Sequence, residues 1–157
     1  MKEIVEQIPD VQLIIVGEGP EDKALNELVA NLNLASYVRF EKIVNQTADI
    51  LPIFDIFIMP SRQEGLGLSV MEAQACALPV IASRVGGLID LIDDGVTGYL
   101  VSPENHHELT QKIVKVLNHL PESSKVGKMA RQKIIEKFSL NKMVTSTLRI
   151  YEKYISR

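Results

Sequence analysis

Short runs of apolar, β-branched residues alternate along this chain with longer segments of helical period, a pattern that fits a parallel sheet covered by helices. Parallel neighbours need a crossover, and the helical segments supply it. Strands are expected at residues 12–16, 37–40, 56–59, 79–82 and 99–101. Between them, Leu25, Leu28, Val29 and Leu32 share one helical face. Short helices are expected at 48–51, at 69–76, and from Gly86-Gly87 through Leu91. Leu109, Ile113, Val116, Leu117 and Leu120 mark an amphipathic helix. Leu140, Val144, Leu148, Tyr151 and Ile155 mark a last one, over 139–157, expected to bury that stripe. The architecture expected is a doubly wound α/β fold in a single domain spanning 1–157.

Composition narrows the function classes. The chain has 157 residues, 46% hydrophobic and 24% charged, as in an ordinary globular domain. A net charge of −3 with scattered Lys and Arg gives no reason to expect nucleic acid. The longest apolar stretch, residues 50–60, is broken by Pro52 and Asp55, so no transmembrane segment is expected. No charged leader precedes an apolar core, and the single Cys76, read as a small buried residue, allows no internal disulfide. The expected location is the cytoplasm.

In open parallel sheets, ligands bind beyond the carboxyl ends of the strands, where helix N-termini present free N–H groups. Three glycine-bearing segments fall there: residues 17–20, 61–69 and 83–87. Glycine lets backbone amides approach an anion closely, and phosphate is the natural candidate. The middle segment, Ser61-Arg62-Gln63-Glu64-Gly65-Leu66-Gly67-Leu68-Ser69-Val70-Met71-Glu72-Ala73, carries two carboxylates eight residues apart. With a helix starting near Ser69, Glu72 lies in its first turn and Glu64 in the loop before it. Both then face one crevice, and a carboxylate there is suited to adjacent hydroxyls of a ribose or hexose.

Glu64 and Glu72 form an E-x7-E motif, and the segment around them resembles the family 4 retaining glycosyltransferases of GT-B fold. The resemblance continues in order through Ala73-Gln74-Ala75-Cys76-Ala77-Leu78-Pro79-Val80-Ile81-Ala82-Ser83, Gly86-Gly87 and Asp94-Gly95-Val96-Thr97-Gly98-Tyr99-Leu100-Val101, covering about residues 13–138. It implies the C-terminal, donor-binding half of that fold, a Rossmann-like domain holding a UDP-, GDP- or ADP-sugar. By resemblance, Glu64 is the catalytic-site carboxylate that bonds the transferred hexose. Backbone groups of Gly65, Leu66 and Gly67 contact the sugar hydroxyls, and the Leu68 and Ser69 amides meet the diphosphate. Glu72 holds the ribose, while Arg39, with Val38 and Phe40, borders the base beside Gly17 and Gly19. The resemblance further implies transfer with retention, no required metal, no cofactor and no named protein nucleophile. It leaves open a peripheral place at the inner membrane for the full-length enzyme.

This sequence also departs from the pattern. An Arg and a Lys that flank an earlier strand and neutralise the leaving diphosphate are not found. Residues 1–5 read as the end of the helix after that strand, stopped at Pro9. The first strand and the N-terminal acceptor domain are therefore expected to be missing, and this chain alone is not expected to transfer sugar. It would partner that domain or associate with itself through an exposed sheet edge. Glu41-Lys42, Ala77 and Asp90 replace residues common in the family. The competing readings are a non-catalytic binding or regulatory fragment and, less well matched, a GT-B-like nucleotide-sugar epimerase. Locally, Ser69 to Glu72 also reads as a capping box. Gly17-Glu18-Gly19 lacks the third glycine of a dinucleotide fingerprint, Gly86-Gly87 also reads as a plain tight turn, and His106-His107 lacks a third metal ligand.

Overall fold

The structure is a computed structural model and describes residues 1–42 and 47–155. Helix α1 (Lys2–Gln7) ends before Pro9 and leads into β1 (Leu13–Val16), α2 (Asp22–Asn31) and β2 (Val38–Glu41). Helix α3 (Thr47–Ile50) tightens into a 3-10 turn, Leu51–Ile53, where Pro52 cannot donate a backbone hydrogen bond. Then come β3 (Phe57–Met59), α4 (Leu68–Ala75), β4 (Val80–Ser83), α5 (Leu88–Leu91) and β5 (Tyr99–Val101). Three helices close the chain: α6 (His106–Asn118), α7 (Leu120–Phe138) and α8 (Leu140–Ile155).

Every strand pair is parallel: Leu13 lies opposite Val38, Phe57 opposite Val80, and Ile81 opposite Tyr99. The single sheet expected from the sequence is, among the described residues, two: β1–β2 and β3–β4–β5. Among the described residues no ladder joins β1 to β3.

Strand β4 shows why the fold is covered on both sides. All four of its residues are buried, and their period-2 alternation sends them to opposite faces. Val80 and Ala82 join Val70 and Ala73 of α4, Leu88 and Leu91 of α5, and Ile134 of α7. Ile81 turns the other way, to Ile4 of α1 and Ile113 and Val116 of α6. Each such buried Val, Leu or Ile contributes about 1.5–3 kcal/mol relative to exposure.

Helix α4 is closed at its C-terminus by paired bonds, Ala77 N–H to Gln74 O (2.9 Å) and Leu78 N–H to Ala73 O (3.1 Å). This is a Schellman motif, with Ala77 in the left-handed region at φ 60° and Leu78 buried over Ala73. Helix α2 ends the same way through Asn33 and Leu34. Helix α7 lies against the end of α4: Gly127 sits so close that a Cβ there would overlap the Ala77 carbonyl oxygen. Arg131 donates to the Ala75 carbonyl, satisfying an acceptor at the negative end of α4.

Two helical faces are exposed, one of them against expectation. On α8, Leu140, Val144, Leu148, Tyr151 and Ile155 are all exposed, so the stripe expected to be buried faces outward. On the face of α2, Leu25, Leu28 and the capping Leu32 are likewise exposed, Val29 is half-buried, and the helix has no buried residue. The periodicity is present in both, but among the described residues no element covers these faces.

Candidate functional site

The segment after β3 folds around its own carboxylate. Glu64 is half-buried, and its Oε1 accepts hydrogen bonds from the N–H groups of Gly65 (3.0 Å) and Gly67 (3.3 Å). Gly67 then enters α4 in the left-handed region at φ 74°, which only glycine adopts without strain. A Cβ at this position would also stand 2.6 Å from Leu88 Cδ2. No side chain caps the start of α4.

Helix α4 begins at Leu68, so Ser69 and Glu72 both lie within it and the capping box does not form. Glu72 stands one residue beyond the first turn, a small correction to its expected place. Leu68, Ser69 and Glu72 are exposed along this helix start, and Gly65 and Leu66 are exposed on the loop before it. The result is a helix N-terminus with uncapped amides, flanked by one carboxylate held in the loop and another on the helix. Aligned peptide dipoles there favour an anion, by about 0.3–1 kcal/mol at an exposed site.

Gly17 and Gly19 lie elsewhere, in the turn after β1, and Arg39 is on β2 of the two-stranded sheet. Gly17 N–H donates to Glu41 O (3.0 Å) and Gly19 N–H to Asp22 Oδ1 (3.0 Å), so both amides are committed within the chain. What these glycines offer is space, since nothing lies within 4 Å of a Cβ added at either. Arg39 pairs with Ile14 across the ladder and is exposed. Arg62 forms an ion pair with Glu104 (3.0 Å) in which both side chains are exposed, an interaction worth about 0–1 kcal/mol.

The 93–98 turn is a bracing element. Asp94 accepts from Leu100 N–H (3.0 Å) and pairs with Arg84 (2.8 Å). Asp93 pairs with Lys133 of α7 (3.0 Å), whose side chain is only 10% exposed. Wholly buried Gln74 of α4 donates to Thr97 O (3.0 Å). The turn thereby ties α4, α7 and β5 together behind the site. Lys133 gives no signal in sequence because a single lysine on a helix normally reads as solvated. His107, at the start of α6, shares a hydrogen bond with Gln111 (2.9 Å).

Comparison with known proteins follows the same lines. The profile of the family described as Glycosyl transferases group 1 matches residues 1–133. The chain is 32% identical over 142 residues to N-acetyl-alpha-D-glucosaminyl L-malate synthase of Bacillus anthracis, covering 90% of this chain and 37% of that protein. It superposes with a TM-score of 0.89 and 28% identity on a S. aureus TarM variant in complex with Fondaparinux, alpha-GlcNAc-glycerol and UDP, covering 96% of this chain and 31% of that one. In fold it also matches the C-terminal domain of the group 1 glycosyl transferase LpcC of Francisella tularensis. That superposition has a TM-score of 0.79 at 24% identity, over 88% of this chain and 75% of that one. The chain thus spans well under half the length of the curated relative and of TarM. No described helix is long and apolar enough to cross a membrane. Taken with the parallel sheets flanked by helices, these matches show that the chain belongs to the group 1 glycosyl transferases and corresponds to the C-terminal domain of their GT-B fold.

Proposed function

We propose that this domain binds the nucleoside diphosphate sugar of a retaining glycosyltransferase that moves a hexose-type sugar to an acceptor. The observation that carries the reading is the start of α4, where the Leu68 and Ser69 amides follow a left-handed Gly67 that has no side chain to cap them. Leu68 and Ser69 there receive the diphosphate. Glu64, with both loop hydrogen bonds on Oε1, meets the sugar through its remaining acceptor capacity. Backbone groups of Gly65, Leu66 and Gly67 line the sugar, Glu72 holds the ribose diol, and Arg39 with Gly17 and Gly19 borders the base. The UDP held by the TarM variant supports a uridine donor, with GDP- and ADP-sugars as the alternatives to be tested. The acceptor falls to a further domain, and the edges of β1 and β3, unpaired among the described residues, favour self-association where this segment stands alone.

Calorimetric titration with UDP, GDP and ADP and their glucose conjugates tests the reading. Binding is expected with one base, and Glu72→Ala is expected to weaken it by about 1.5–3 kcal/mol, the contribution of charge-assisted bonds to the ribose. No binding by any of these at millimolar concentration, or an unchanged affinity in the variant, would overturn it.

A further inference from the structure

We infer that Gly86 and Gly87 are positioning residues that aim the Glu64 carboxylate, acting through the Glu64–Gly65 peptide without touching the donor. This rests on the reading that Glu64 faces the transferred sugar. The pair occupies the turn between β4 and α5, and the loop after β3 lies directly on its backbone. A Cβ on Gly86 would overlap the Glu64 carbonyl oxygen, and one on Gly87 would overlap the carbonyl oxygen of Gly65. Gly86 is also left-handed, at φ 47°. Gly87 N–H donates to Gly65 O (3.1 Å) and, at longer range, to Glu64 O (3.4 Å).

The consequence is directional. A peptide plane whose carbonyl oxygen is drawn to one side presents its N–H on the other. The Glu64 and Gly65 carbonyls face the Gly86-Gly87 turn, and the Gly65 N–H, with that of Gly67, holds Glu64 Oε1. Leu88 and Leu91, which follow the glycine pair on α5, support the far end of the same loop at Gly67. The turn therefore fixes both ends of the segment whose amides orient the carboxylate. Adding one methyl group at Gly86 must push the Glu64 peptide away and release that orientation, since the obstructing atoms are backbone and cannot swing aside.

The test uses Gly86→Ala and Glu64→Ala, with Gly127→Ala as a variant strained elsewhere. In amide-resolved NMR of the unliganded chain, Gly86→Ala is expected to shift the Gly65 and Gly67 N–H resonances well beyond the change produced by Gly127→Ala. Unchanged resonances overturn the proposal, whatever the binding data show. In titrations with UDP, GDP and ADP and their glucose conjugates, Gly86→Ala is expected to keep nucleoside diphosphate affinity within about twofold. It should lose the added affinity of the sugar conjugate to the same extent as Glu64→Ala, with no further loss in the double variant. Equal loss for diphosphate and conjugate would show general damage to the site and overturn the positioning role. If the resonances move but Glu64→Ala leaves conjugate binding untouched, the positioning stands and the assignment of Glu64 to the sugar fails.

Discussion

Ala77 adopts a left-handed backbone next to the buried Leu78. At φ 60° its Cβ crowds the neighbouring carbonyl, a cost that glycine avoids and that asparagine reduces at the equivalent position, Asn33. In the sequence, Ala77 is a departure from the family pattern. The turn nevertheless forms, because the Ala77 and Leu78 N–H groups both find acceptors on α4 and Leu78 is buried. Ala77→Gly is accordingly expected to stabilise the chain by up to about 1 kcal/mol, after subtraction of the extra unfolded-state entropy of glycine. Chemical denaturation at unchanged m-value checks it, and a lower midpoint in the variant would contradict it. The placing of Glu64 in the loop before α4 and of Glu72 on the helix was legible at this scale, because residue type and spacing carry it. The bond from Glu64 to the amides of its own loop was not, since it depends on the left-handed turn at Gly67.

At the scale of elements, the strand positions followed from short β-branched runs to within about a residue at each end, which is the margin by which helix and strand boundaries ordinarily differ. Periodicity told which face of α2 and α8 is apolar, but the cover for a face is a fact of tertiary structure. Both faces are exposed among the described residues. The converse holds for α7, whose buried stripe of Ser123, Gly127, Ala130 and Ile134 is too small and polar to announce itself. Its closeness to α4 makes a sharp prediction. Gly127→Ala gains helix propensity but drives a methyl group into the Ala77 carbonyl, so a net loss of about 1–3 kcal/mol is expected by thermal unfolding. A stabilised variant would show that α7 can slide without cost.

The start of α6 has its own pH dependence. Asn105 Oδ1 accepts from Glu108 N–H (3.1 Å), while Glu108 Oε2 accepts from Ser102 N–H (3.0 Å) and Asn105 Nδ2 (3.3 Å). The Ser102 backbone N–H is the main reason that the Glu108 carboxyl lies below its ordinary value. A depressed carboxylate value contributes stability that is present above the unfolded-state value, about pH 4.3, and is lost as pH falls through the folded-state value. Glu108→Gln should therefore melt earlier than the parent at neutral pH, and the gap should close as both are taken below about pH 4. A gap independent of pH would mean that the charge of Glu108 contributes nothing.

For the whole molecule, the alternation of elements made a parallel α/β fold legible, but not the division of its strands into two sheets, because residue patterns do not record which strand edges meet. Among the described residues that division leaves β1 with an unpaired edge. Leu13 N–H and Gly17 N–H both donate toward β2, to Tyr37 O and Glu41 O. Backbone groups alternate along a strand, so the N–H groups of Ile14 and Val16 point to the open side. An open row of this kind templates another strand, and β1 has no bulge or proline to blunt it. Self-association of this chain is expected to rise with concentration in light scattering. Val16→Pro removes one open-side donor while sparing the ladder to β2, and Val16 is already 42% exposed, so little packing is lost. The variant should keep the parent's far-UV circular dichroism and remain monomeric at concentrations where the parent associates. A parent that stays monomeric throughout would show that the edge is not used, whereas association undiminished in Val16→Pro would move the contact to the exposed faces of α2 or α8.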